Sequence, residues 1–204
     1  MNSALSLLRE LVEIPSVSSL SNRPLIEYAT KFLHERGWQT RPFPYNDSSG
    51  NEKINLIAHA PGQRPLDAAV DLAFVCHTDT VPFDPAWSDA VHPALRDGFL
   101  HGCGACDVKG FLASLLAAVS GLKPADFHWS LGIVLTADEE VGCVGASKLI
   151  AARAIIPKHV VVGEPTSLHP AAPAARAAVV VTAVPASAAA WQSTAARQPT
   201  STAS

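Results

Sequence analysis

Residues 70–76, Val-Asp-Leu-Ala-Phe-Val-Cys, form a nearly continuous apolar run that ends directly on His77. Strict alternation of polar and apolar residues is lost there, which suits a central strand covered on both faces. A strand of that kind needs neighbouring strands and helices above and below it. The rest of the chain supplies them. Residues 2–13 read as a helix, with Leu5, Leu8, Leu11 and Val12 in one stripe, ended by Ile14-Pro15-Ser16. Pro24 stands near the start of a second helix carrying Leu25, Ile26, Tyr28, Ala29, Phe32 and Leu33, and Gly37 stops it. Strands are expected over 38–43, 54–60, 128–136 and 159–162, with residues 44–52 a polar turn. Residues 80–98 read as a long loop, Asp97-Gly98 as a tight turn, and 102–110 as a glycine-rich loop. Helices are expected over 111–121 and 145–153. Alternating strands and helices predict an α/β fold, with helices packed on a mixed sheet.

Bulk properties exclude several classes. The 204 residues, 48% of them hydrophobic, suffice for one domain with a true core. A net charge of −3 offers no basic face for nucleic acid. No apolar run reaches the roughly 20 residues that span a bilayer, so no membrane partner is expected. The N-terminus has neither a basic leader nor a long apolar segment, which points to the cytoplasm. Cys103 and Cys106 form a C-x-x-C, but no second such pair follows and Asp107 beside them is the better metal candidate.

The chemistry concentrates where strands end, which is where open α/β sheets place their sites. His77, Glu139-Glu140 and Glu164 each follow an expected strand directly. On extended chain, alternate residues share a side, so Asp79 can accept the ring N–H of His77 and orient it. Asp107, aimed by the glycines around it, has two oxygens that can bridge ions about 3.5–4 Å apart, or it can cap the helix after it. Glu139 and Glu140 would repel one another if buried without a cation. An ion could take one and leave the other as an acid/base group. Mixed nitrogen and oxygen donors suit Zn²⁺, Co²⁺ or Mn²⁺. The other histidines lack a comparable carboxylate setting.

These residues carry a family resemblance. His77-Thr78-Asp79-Thr80-Val81-Pro82, Trp87, Asp97-Gly98-Phe99-Leu100-His101-Gly102, Gly104-Ala105-Cys106-Asp107-Val108-Lys109-Gly110, Ala137-Asp138-Glu139-Glu140-Val141-Gly142 and Val162-Gly163-Glu164-Pro165-Thr166-Ser167-Leu168 resemble the M20 metallopeptidases in order and spacing. The resemblance implies the N-terminal part of a zinc-aminopeptidase-like catalytic domain and hydrolysis of the amide of a small N-acyl amino acid. It implies two Zn²⁺ sites, one held by His77, Asp107 and Glu164, the other by Asp107 and Glu140. Asp79 would orient His77, and Glu139 would be the general acid/base. The family's lid, its dimerisation segment and a last histidine ligand have no counterpart in these 204 residues. The resemblance implies the family homodimer, although the dimerisation segment is absent here, and activity of this chain by itself is expected to be weak or absent.

The resemblance covers residues 1–170. From Ala171 to Ser204 there is no Asp, Glu, Lys, Gly, Leu, Ile or Phe, and the only charges are Arg176 and Arg197. This Ala/Pro/Ser/Thr-rich tail is expected to be largely disordered, with Val179 to Val184 able at most to pair as a strand. Its composition reads more readily as a translated shifted frame than as a natural linker.

Overall fold

The computed structural model describes residues 3–62, 69–123, 128–166 and 178–180. Six strands form one mixed sheet. They are β1 (Gln39–Asn46), β2 (Glu52–His59), β3 (Val70–His77), β6 (Leu131–Thr136), β7 (Pro157–Val162) and β8 (Ala178–Val180), in the order β1-β2-β6-β3-β7-β8. The first two run antiparallel to their neighbours, whereas β6, β3, β7 and β8 are mutually parallel. The apolar run at 70–76 is thus interior to the sheet, as expected. A small separate hairpin, β4 (Ala94–Arg96) and β5 (Phe99–His101), turns through Asp97 (φ 51°) and Gly98 (φ 80°). Two consecutive residues with positive φ match the twist of a two-residue hairpin.

Three helices cover one face. In α1 (Ala4–Val12) the Ser3 hydroxyl caps the first turn by accepting the N–H of Ser6. Its buried stripe is Leu7, Leu8, Leu11 and Val12. Leu5, read from sequence as part of that stripe, is exposed, and Leu7 takes its place beside Leu8, Leu11 and Val12 on the inward face. Helix α2 (Arg23–His34) has Pro24 in its first turn and buries Leu25, Ile26, Ala29, Phe32 and Leu33. Gly37, at φ 78°, ends the excursion. Helix α3 (Lys109–Ser120) is apolar on nearly every side and lies in the same core. Among the described residues, the opposite face carries α4 (Val144–Ala151), over a smaller core of Ile57, Val70, Ala73, Val134, Leu149 and Ala154.

Several strand boundaries differ from the sequence reading, with β2 beginning at Glu52 rather than Ile54 and β7 at Pro157 rather than His159. Strand β1 continues through Pro44 to Asn46, where residues 44–52 were expected to form a polar turn. It is an edge strand, where every second N–H points away from the sheet and a proline loses no ladder bond. Strand β6 begins at Leu131 rather than at His128. In the tail, Ala178–Val180 pairs with β7, in line with the pairing allowed for Val179. Residues 167–177 and 181–204, which hold Ser167, Leu168 and the rest of the expected disordered segment, lie outside the described residues. Among the described residues no helix is long and apolar enough to cross a membrane.

Candidate metal centre

Three neighbouring parallel strands, β6, β3 and β7, deliver their C-terminal ends to one place. Two bonds extend the ladders past those ends: the Thr78 N–H donates to Thr136 O (2.9 Å) and the Gly163 N–H to Val75 O (2.9 Å). The chain just beyond β3 and β7 is thus still tied to the neighbouring strand. His77 closes β3, Glu139 and Glu140 follow β6, and Glu164 follows β7. Asp107 arrives from the loop before α3. There Gly104 adopts φ 73°, and a Cβ on it would stand 2.6 Å from the Thr80 side chain.

One atom each of His77, Asp107 and Glu164 falls within a 4.8 Å cluster able to hold a metal ion, and a second such cluster joins His77, Glu139 and Glu140. All five residues singled out as ligands or acid/base groups at these strand ends and this loop thus meet. Glu140 groups with His77 and Glu139, while Asp107 groups with His77 and Glu164. The C-x-x-C cysteines belong to neither cluster. Cys103 is buried, Cys106 is exposed, and none of the four cysteines is in a disulfide.

The imidazole is fixed at both nitrogens. Nδ1 lies 3.0 Å from the main-chain oxygen of Asp79, which can only accept, so Nδ1 carries hydrogen. Nε2 then faces Asp107 Oδ1 at 2.9 Å. A bare lone pair cannot face a carboxylate oxygen, so that nitrogen needs a proton or a cation. This is the local evidence that the donor set fits a divalent ion. Burial opposes a charge on His77, but the hydrogen bond and charge of Asp107, with Asp79 and Glu164 behind it, raise its pKa to about 9. Burial raises the Glu164 carboxyl to about 7; His77 opposes that rise, and Asp107, Glu139 and Glu140 add to it. Glu140 is pushed up in the same way, first by burial and then by Asp107. The cluster is short of positive charge.

Asp79 does not do what its spacing suggested. Its carbonyl, not its carboxylate, receives the ring N–H, and the carboxylate stands 3.8 Å from Nδ1. Three other donors occupy that carboxylate: Ser18 Oγ at 2.8 Å and the main-chain N–H groups of Glu139 (3.1 Å) and Glu140 (3.2 Å). Nor does Asp107 cap α3. Val108 is the cap residue and no side chain bonds there, because the Asp107 carboxylate is turned to His77.

Sequence reasoning missed the supports beneath these residues. Asn22 Nδ2 donates to Thr78 Oγ1 (2.8 Å) and to Ile54 O (2.9 Å). Asn55 accepts from the Ala137 N–H (2.9 Å) and donates to Gly145 O (3.0 Å), tying β2 to both sides of the Glu139-Glu140 turn. Lys53 lies almost wholly buried in β2, 3.0 Å from Asp138. No sequence signal marked Lys53, because the strand was expected to begin one residue after it, at Ile54.

With this geometry the chain is placed by comparison: it belongs to Peptidase family M20/M25/M40, whose sequence profile matches residues 73–198. That match runs past Pro170, where the motifs end. Among similar proteins, the acetylornithine deacetylase of Myxococcus xanthus is 44% identical over 163 residues, covering 80% of this chain and 42% of the relative. That of Pasteurella multocida is 37% identical over 177 residues, covering 82% and 44%. The chain therefore spans less than half the length of these relatives. Human carnosine dipeptidase 1 shares the fold at a TM-score of 0.65 and 20% identity, over 78% of this chain and 38% of that one. Aminopeptidase PepT from Bacillus cereus matches at 0.60 and 25%, over 79% and 42%.

Proposed function

We propose that this chain is the metal-holding portion of an amide hydrolase for N-acyl amino acids, with N-acetylornithine, cleaved to ornithine and acetate, as the substrate. The carrying observation is the convergence of His77, Asp107 and Glu164 from two strand ends and a loop within 4.8 Å. The names of the similar deacetylases support the substrate. His77, Asp107 and Glu164 would hold one Zn²⁺, and Glu140, with Asp107, would contribute to a second. Bound ions of this kind polarise a carbonyl and acidify water. Asp79 fixes His77 through its carbonyl and the Glu139-Glu140 turn through its carboxylate. Glu139, half-buried and beside the cluster, takes a proton from the attacking water and returns it to the leaving amine. The reaction would run in the cytoplasm, where four unpaired-by-disulfide cysteines are at home.

The test is equilibrium dialysis of the purified chain against Zn²⁺ and Co²⁺, with turnover measured on N-acetylornithine and on N-succinyl-diaminopimelate. Saturable binding that Asp107→Asn removes, with weak turnover favouring the acetyl substrate, is expected. Equal binding by the parent and Asp107→Asn would overturn the metal centre. Preference for the succinyl substrate would replace the substrate assignment. A second reading, a metal-binding segment without catalysis of its own, draws on the chain's span of 42% of its Myxococcus relative. Binding without any turnover would select it.

A further inference from the structure

Behind the Glu139-Glu140 turn lies a closed ring of polar contacts centred on a buried cation. Lys53 Nζ donates to Ser18 O (2.5 Å) and Leu20 O (2.7 Å), and stands 3.0 Å from Asp138 Oδ1. Asp47 Oδ2 is a more distant neighbour at 3.8 Å. Ser18 then donates its hydroxyl to Asp79 Oδ2, and Asp79 accepts the N–H groups of Glu139 and Glu140. Asp138 is the residue immediately before Glu139, so the ring returns to its start. Tyr45 completes the second oxygen of Asp138 by donating from its hydroxyl at 2.9 Å. Lys53, Ser18, Asp79 and Asp138 are all buried.

An interior ion pair is a poor source of stability, since desolvating two charges offsets most of their attraction. What such a pair does supply is a single geometry. Here the turn is gripped from both sides, through the Asp138 side chain ahead of Glu139 and through the Asp79 carboxylate at both amides. We infer that Lys53 is a positioning residue. Through Ser18–Asp79 on one side and Asp138 on the other, it sets where the Glu139 and Glu140 carboxylates stand relative to His77. The inference rests on the reading of Glu139 and Glu140 as the working carboxylates of the site.

Two variants break the ring without leaving a buried charge unpaired: the double substitution Lys53→Met/Asp138→Asn, and Ser18→Ala. Leu149→Ala, in the core under α4, serves as the control for a general loss of stability. Hydrogen exchange of the Glu139 and Glu140 amides is followed in the metal-free chain by mass spectrometry or NMR. Both ring variants should exchange about tenfold faster at those two amides, the effect of losing one charge-assisted hydrogen bond, while Leu149→Ala does not single them out. Co²⁺ affinity should fall about 10- to 100-fold in the ring variants and stay within about twofold in the control. If the double variant does not fold, Ser18→Ala decides. Parent-like exchange at Glu139 and Glu140, or parent-like Co²⁺ affinity despite faster exchange, overturns the inference. A parent chain that binds no Co²⁺ overturns the metal-centre reading instead, and the exchange result still decides the ring.

Discussion

Replacing Gly163 by alanine is a small change with a large expected effect. A Cβ built on Gly163 would lie 2.2 Å from Cγ and Cδ1 of Phe111 and 2.7 Å from its Cε1. Ordinary carbon contacts sit at about 3.5–4.0 Å, so ring or strand must move by roughly 1.3 Å or more. Phe111 is 7% exposed and packed into the main core, which leaves it little room to retreat. Overpacking of this kind costs about 1–3 kcal/mol. Urea denaturation of Gly163→Ala should show that loss, and Co²⁺ affinity should fall with it, because Glu164 is the next residue. Phe111→Ala removes Cγ and the whole opposing ring. In that background Gly163→Ala should cost less, giving a coupling of at least about 0.5 kcal/mol between the two positions. Stability of Gly163→Ala within about 0.5 kcal/mol of the parent, or an equal cost in both backgrounds, would refute the packing argument.

Metal affinity should climb with pH. Glu164 at about 7 and His77 at about 9 both sit above their ordinary values, and each must lose its proton to bind an ion. In the metal-free chain, the stability that protonated His77 contributes is complete below 6.5 and is lost as pH rises through about 9. Calorimetric titration with Co²⁺ from pH 6 to 9 measures both the affinity and the protons released, and a flat profile would contradict the assignment. Asp107→Asn should abolish binding, whereas Cys103→Ser/Cys106→Ser should leave it within about threefold by the same titration, since thiols stand outside both clusters. Asn55→Ala would leave the Ala137 N–H unpaired in a fully buried place and take from the Gly145 carbonyl a second donor beside its helical one, a loss of about 1–3 kcal/mol by denaturation. A loss under about 1 kcal/mol would show that water replaces the side chain.

The strand ends were legible because each is announced twice, by an apolar run and by the acidic or imidazole residue that stops it. His77 after β3 and Glu139-Glu140 after β6 are of this kind. The end of β1 was set too early because residues 44–52 are largely polar, and only the strand order shows that β1 is an edge strand, which tolerates polar residues and prolines. The role of Asp79 was half legible. Its spacing from His77 put it on the correct side, but the donors that capture its carboxylate come from residues 18, 139 and 140, distant in sequence. Lys53 was hidden for the same reason, since its partners lie in three other segments.

The bond from Lys53 to Ser18 closes 35 residues of chain, that from Ser18 to Asp79 closes 61, and those from the Glu139 and Glu140 amides to Asp79 close 60 and 61. Contacts of that span yield nothing until the loops between them have been closed. During synthesis, therefore, a nascent chain can form α1, α2 and the β1–β2 hairpin while the Glu139-Glu140 turn still has no anchor. The carboxylates come into register only once β6 has left the ribosome and entered the sheet between β2 and β3. Glu164 is later still, because it follows β7, so the site is assembled strand by strand from the ends of three strands far apart in the chain.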